Sequence, residues 1–352
     1  MNRNIYFHRV QSQTPTRLWI NNVTREQARI AIEAGAVGCT QNPSYTWKML
    51  TNEAEKGFTL ENLDLILKTE SNDNEALVKL QRELVSGIAK IFLPLYERSN
   101  GKYGYVSIQG DPFREDVDSI VKNARANHAE GINIMAKVPV VKEGLEAIEI
   151  IAKERIPINA TEVMAVKQAL DVCEAYMRAT KGMSDPAPIY FSHITGIYDE
   201  YLQNIVRRNN IDISPDVLWQ AGMSIAKKIY WMVREKGYPV GFIGGGARGL
   251  QYFTEMVGAD ACVTINWEGT ADKLIEQDPP VVQRFLRTTP DSVVDELLEK
   301  IADYRRGYLV NSITVDEYED FGPVVLFRSS FEKAWGNALQ TIKSRRQELF
   351  NA

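Results

Sequence analysis

The feature that most constrains this chain is an alternation. Short apolar or β-branched runs fall near residues 17–21, 38–42, 104–109, 132–138, 158–163, 189–194, 240–245 and 261–267. Longer stretches between them carry apolar residues at three- and four-residue steps. Over 163–180, for example, Ala169, Val172, Cys173, Tyr176 and Met177 mark one face of a helix. Repeated strand–helix units build a parallel sheet, and eight of them predict an α/β fold, the (β/α)8 or TIM barrel. One domain over residues 1–352 accounts for the chain. Two segments exceed a minimal barrel: a helical insertion at about 60–100, after strand 2, and a C-terminal helical extension at about 279–352. Within the extension, 291–308 has helical periodicity, whereas 309–323 is irregular enough to be a loop over the barrel mouth.

Composition narrows the function classes. A chain of 352 residues with 44% hydrophobic and 25% charged content has ample core for a soluble globular protein. A formal net charge of -5 without a block of like charge gives no footprint for nucleic acid or an anionic membrane. Cys39, Cys173 and Cys262 fit neither a disulfide framework nor a zinc site, so no metal is expected and a reducing cytoplasm is the expected compartment. Neither an export signal nor a run of apolar residues long enough to span a bilayer is visible.

Chemistry in such a barrel belongs at the C-terminal ends of the strands, where alternate side chains point inward. Lys137 ends the apolar run Ile132-Asn133-Ile134-Met135-Ala136-Lys137-Val138-Pro139. Facing the interior, its ammonium loses hydration, which favours a neutral amine able to attack a carbonyl; the alternative is a strand-end lysine whose amine reaches solvent. With Lys137 inward, parity also turns Asn21, Asn42, Gln109, Asn159, Thr161, Ser192, Gly246 and Asn266 toward the lumen. These are polar groups where a structural barrel would favour Val or Ile, and burying them without a ligand or water is unfavourable. By the same parity His193 faces the helices and Glu162 points away from the lumen unless the strand has already ended. Asp111, just before Pro112, reads as a helix N-cap, and Asp199 is a candidate for a place over the mouth.

The segment Ala136-Lys137-Val138-Pro139-Val140-Val141-Lys142-Glu143-Gly144-Leu145-Glu146-Ala147-Ile148 resembles the Schiff-base segment of the transaldolase family, which includes the fructose-6-phosphate aldolases. Gly38-Cys39-Thr40-Gln41-Asn42-Pro43-Ser44 is similar to its second-strand motif. Ile156-Pro157-Ile158-Asn159-Ala160-Thr161 is similar to the fifth strand, and Phe331-Glu332-Lys333-Ala334-Trp335 to the helix that packs across the barrel. The resemblance implies catalytic roles for Lys137, Gln109, Thr161 and Asn21, and substrate binding by Asn42, Thr40, Asn159, Ser192 and Arg248. It implies no cofactor, because the lysine itself supplies the electrophilic activation.

The departures are specific. The family's first-strand aspartate is Asn21 here, and an amide cannot act as a general base. Gln109 stands where transaldolases have glutamate and where the aldolase branch has glutamine, yet that branch's sixth-strand tyrosine corresponds to Ile194. Of the family's two phosphate-binding cations only Arg248 remains, in Gly244-Gly245-Gly246-Ala247-Arg248; the other position is Ile197. The expected activity is transfer of a dihydroxyacetone unit from a ketose or ketose phosphate to an aldehyde. The alternatives are an aldolase-type lyase acting on a phosphorylated or otherwise anionic ketose, and an attenuated protein that only binds a sugar phosphate. The C-terminal helix is amphipathic enough to pack on its own barrel or, as in a homo-oligomer, on a neighbour.

Overall fold

A computed structural model of the chain describes residues 5–350. Its strands are β1 (Arg17–Asn21), β2 (Ala36–Gln41), β3 (Tyr105–Gln109), β4 (Ile134–Pro139), β5 (Ile158–Val163), β6 (Ile189–His193), β7 (Gly241–Gly244) and β8 (Cys262–Asn266). They pair in parallel in chain order, and β8 returns to β1, which closes the (β/α)8 barrel. Each predicted run holds one strand. Some helices start where the sequence supplies a cap. Thr24 and Gln27 form a reciprocal capping box, and Asn72 accepts from the N–H groups of Asn74 and Glu75 to open the helix Asp73–Arg98. The predicted insertion consists of that helix and Lys56–Leu67.

Two apolar layers hold the barrel. Side chains such as Ile20, Val106, Val138, Ala160 and Phe191 face the surrounding helices. A separate cluster of Trp19, Val37, Tyr105, Met135, Ile243 and Cys262 fills the lower lumen. Each fully buried large apolar side chain contributes roughly 1.5–3 kcal/mol. Gly38 makes room for the largest of them: a β-carbon there would lie 2.3 Å from Trp19 Cε2.

The C-terminal helix Gly322–Phe350 packs on its own barrel, against Tyr45–Thr51, Asp73–Arg98 and Thr195–Asn209. Phe331, Trp335, Ala338 and Ile342 are buried beneath it. Trp335 Nε1 donates to Asn74 Oδ1 at 2.9 Å, and Arg345 holds both oxygens of Asp64 at 2.8 and 2.7 Å. The expected loop at 309–323 does not cover the mouth. Its first part runs over the outer helices Lys142–Lys153 and Val166–Thr180, where Ile313 is buried, Tyr318 OH donates to Asp171 at 2.6 Å and Lys142 Nζ meets Asp316 at 2.7 Å, while Phe321 packs beside Tyr198. The C-terminal helix packs across the barrel as its motif suggested, bringing Phe327 and Phe331 to the lumen. Among the described residues, no helix is long and apolar enough to cross a membrane, and no cluster of His, Cys, Asp and Glu is arranged to hold a metal.

Candidate active site

Above the lower plug the lumen turns polar. β3, β4 and β5 bring Gln109, Lys137 and Asn159 side by side in register. Lys137 is only 8% exposed, and burial pushes its amine down to about 8, with nearby Glu162 partly opposing the shift. Its Nζ lies 6.0 Å from the centre of the Phe331 ring. At pH 7 roughly a tenth of such amines are neutral, against roughly one in 3000 for an ordinary lysine. Desolvation therefore favours the neutral amine here.

On one side of Lys137, Ser192 Oγ donates to Asn159 Oδ1 at 2.7 Å and Asn159 Nδ2 donates to Ser107 Oγ at 3.1 Å. On the other, Thr40 Oγ1 lies 2.9 Å from Asn21 Oδ1 and 2.7 Å from Thr264 Oγ1, while Asn21 Nδ2 reaches Asn266 Oδ1 at 3.0 Å. Asn42 exchanges hydrogen bonds with Asn22, a left-handed residue (φ 45°) whose carbonyl accepts from Lys48 Nζ at 2.7 Å. These interlocked amides and hydroxyls are held in place before any ligand arrives.

One pocket, with an empty volume of about 550 Å³, gathers Lys137, Asn21, Thr40, Asn42, Thr161, Ser192 and Arg248. Asn159 lies just beneath, bonded to Ser192, and Gln109 lines an adjoining crevice beside Lys137. Phe327 of the C-terminal helix forms part of the wall. The predicted set thus converges on one place. Arg248 is engaged already: its Nε donates to Glu200 Oε2 at 2.6 Å at the exposed edge. The glycine turn before it is a packing device, since a β-carbon on Gly246 would meet Ile194 Cγ2 at 2.5 Å and one on Gly196 would meet the Gly246 carbonyl oxygen at 1.9 Å. The helix that follows has only four residues, Gln251–Thr254, so it offers no anion site of its own.

Several expectations are corrected. Asp111 is not a helix cap; Asp116 caps Val117–His128, and Asp111 instead accepts from Phe113 N–H and Asn74 Nδ2. Asp199 is not over the mouth. It is buried between helices, where it accepts from Gly222 N–H and Tyr252 OH, and burial raises its carboxyl to about 7. Glu162 does not turn away from the site. The β5–β6 register slips between Ala160 and Val163, and Glu162 takes φ 65°, so its Oε1 accepts from Gln109 Nε2 at 2.8 Å. His193 does face the helices, between the carbonyls of Val163 and Gly222, and burial lowers its imidazole to about 4. Ser107 and Thr264 were passed over although strict alternation from Gln109 and Asn266 reaches both. Phe331 arrives with the C-terminal helix that its motif already suggested, whereas Glu115 and Arg328 come close only through tertiary packing, which no local pattern signals.

The molecule is thus a closed parallel barrel with a buried amine near the end of β4 among a ring of amides and hydroxyls, at the end of the strands where such barrels carry their sites. Residues 18–316 match the family described as Transaldolase/Fructose-6-phosphate aldolase, and the chain belongs to that family. It is similar to a transaldolase of Thiobacillus denitrificans, 24% identical over 90% of this chain and 94% of that one. A transaldolase of Trichodesmium erythraeum is 28% identical over 53% of this chain and 55% of its own. One from Mycobacterium tuberculosis is 24% identical over 62% of each.

Proposed function

We propose that the protein is a Schiff-base transaldolase in which Lys137 attacks the carbonyl of a ketose or ketose phosphate. The observation carrying this reading is the buried Lys137 amine, lowered to about 8 and set among fixed amides and hydroxyls. Attack gives a carbinolamine, loss of water gives an iminium, and the iminium accepts the electron pair released when C3–C4 breaks. The resulting enamine carries a dihydroxyacetone unit to an aldehyde. Asn42, Asn159 and Ser192 supply hydrogen bonds to the donor's hydroxyls, fixing the reacting carbons against Lys137. Thr161 and Gln109 flank the amine where a water would be held.

Arg248 is the cation placed to receive the sugar's anionic group at the pocket edge, exchanging Glu200 for it. Ile197, buried against the glycine turn, leaves that cation without a second arginine beside it. A lyase reading has one observation in its favour, the amide of Gln109 in place of a carboxylate. Product analysis separates the two. With fructose 6-phosphate, the protein is expected to release a three-carbon aldehyde phosphate in quantity only when an acceptor aldehyde is supplied. Equal release without acceptor, together with free dihydroxyacetone, would establish a lyase.

A further inference from the structure

We propose that Glu162, turned into the barrel mouth by a left-handed residue at the end of β5, carries the proton for the reaction at Lys137, in place of the carboxylates that Asn21 and Gln109 do not provide. The proposal rests on Lys137 being the Schiff-base nucleophile.

Geometry singles this residue out. A glutamate at φ 65° is unfavourable by roughly 1–2 kcal/mol, and such strain concentrates where side-chain aim matters. The kink reverses the parity of β5, so Thr161 and the next residue both serve the lumen side. Glu162 is wholly buried, and only its Oε1 is bonded, to Gln109. Its Oε2, Gln109 Oε1 and Thr161 Oγ1 are buried and without a hydrogen-bond partner among the described residues. A carboxyl with one oxygen anchored and the other free, close enough to a buried amine to feel its charge but not ion-paired with it among the described residues, is arranged to exchange a proton through an intervening water.

The surroundings keep that proton available. Glu115, on the loop after β3, is half-buried with both carboxyl oxygens out of solvent and, among the described residues, without a hydrogen bond, and Arg328 of the C-terminal helix approaches it at 3.7 Å. Arg328 also meets Glu319 at 3.0 Å and Glu332 at 3.9 Å. The charged groups facing Glu162 are therefore Lys137, Arg328, Glu115 and Glu332. Burial raises both Glu162 and Glu115 above the usual carboxylate range, and two neighbouring carboxylates do not both ionise readily.

The proton balance closes. The Glu162 carboxyl gives its proton to the carbinolamine hydroxyl, the C–O bond breaks, water leaves and the iminium forms opposite the new carboxylate. As C3–C4 breaks, that pair of electrons moves to the enamine, the C4 hydroxyl becomes an aldehyde, and its proton returns to Glu162. Addition of the acceptor aldehyde reverses the second step, and hydrolysis reverses the first.

The test is the initial rate of borohydride-trapped adduct formation with dihydroxyacetone from pH 5.5 to 10, for wild type, Glu162→Gln and Glu162→Asp. Wild type is expected to give a bell: rising as Lys137 loses its proton, falling as the carboxyl does. Glu162→Gln is expected to be about 100-fold slower or worse and to lack the alkaline fall. A Glu162→Gln profile of wild-type shape, whether or not it is slower, overturns the proposal while leaving the Lys137 reading intact. No adduct on the wild type overturns both. If Glu162→Gln does not fold, Glu162→Asp decides: an alkaline limb displaced in pH assigns the limb to residue 162, and an undisplaced one overturns the assignment.

Discussion

The two ends of one lumen make the instructive comparison. Below, Trp19, Tyr105, Met135 and Ile243 fill the barrel as a dry plug. Two residues further along the same strands stand Asn21, Ser107 and Lys137, linked to or ringed by hydrogen-bonding neighbours. Backbone, pairing and inward parity are shared, so the change from plug to polar ring is a matter of side-chain choice. The plug contributes stability through area removed from water, while the polar tier gives up stability to hold a desolvated amine.

Lys137→Met is the sharpest break of that contrast. It should abolish adduct formation and at the same time stabilise the fold at pH 7 by about 2–3 kcal/mol, read by urea titration. The sign follows from linkage. The folded amine at about 8 lies below the unfolded value of 10.5, so the unfolded chain binds more protons between those limits. Wild-type stability should therefore rise from pH 8 to 10.5, and the variant should lose that rise. A destabilised Lys137→Met would contradict the assignment of Lys137 to a desolvated site.

Trp19→Ala should do the reverse: a loss of about 3–5 kcal/mol in stability, with adduct still formed on Lys137 by the folded fraction. Asn159→Ala, within the polar tier, removes a bridge between Ser192 and Ser107. It should lower kcat/KM by roughly 10–100-fold, with a stability loss near 1 kcal/mol. Arg248→Gln should have the smallest effect. KM for a phosphorylated donor should rise about tenfold while that for dihydroxyacetone stays unchanged; equal changes for both would remove Arg248 from anion binding.

The strands were legible because period-2 and period-3.6 patterns are local, and inward positions such as Asn21, Gln109, Asn159 and Asn266 follow from one parity choice. Glu162 was not, because that parity fails at a single left-handed residue whose conformation depends on how β5 slips against β6. Asp111 and Asp116 show a smaller ambiguity: both precede a helix in sequence, and only the path of the chain after Pro112 decides which one caps it. The irregular stretch at 309–323 was illegible for a third reason. Its path is fixed by contacts between residues far apart along the chain, such as Lys142 with Asp316 and Tyr318 with Asp171, which tie it to the outer helices.

The most direct measurement is the intact mass after borohydride reduction, with fructose 6-phosphate, sedoheptulose 7-phosphate and dihydroxyacetone offered in parallel to wild type and Lys137→Met. A reduced three-carbon adduct on the wild type, mapped to Lys137 and missing from the variant, is the expected result. An adduct mapped to another lysine, or none with any donor despite measurable sugar binding, would contradict the proposed chemistry at Lys137.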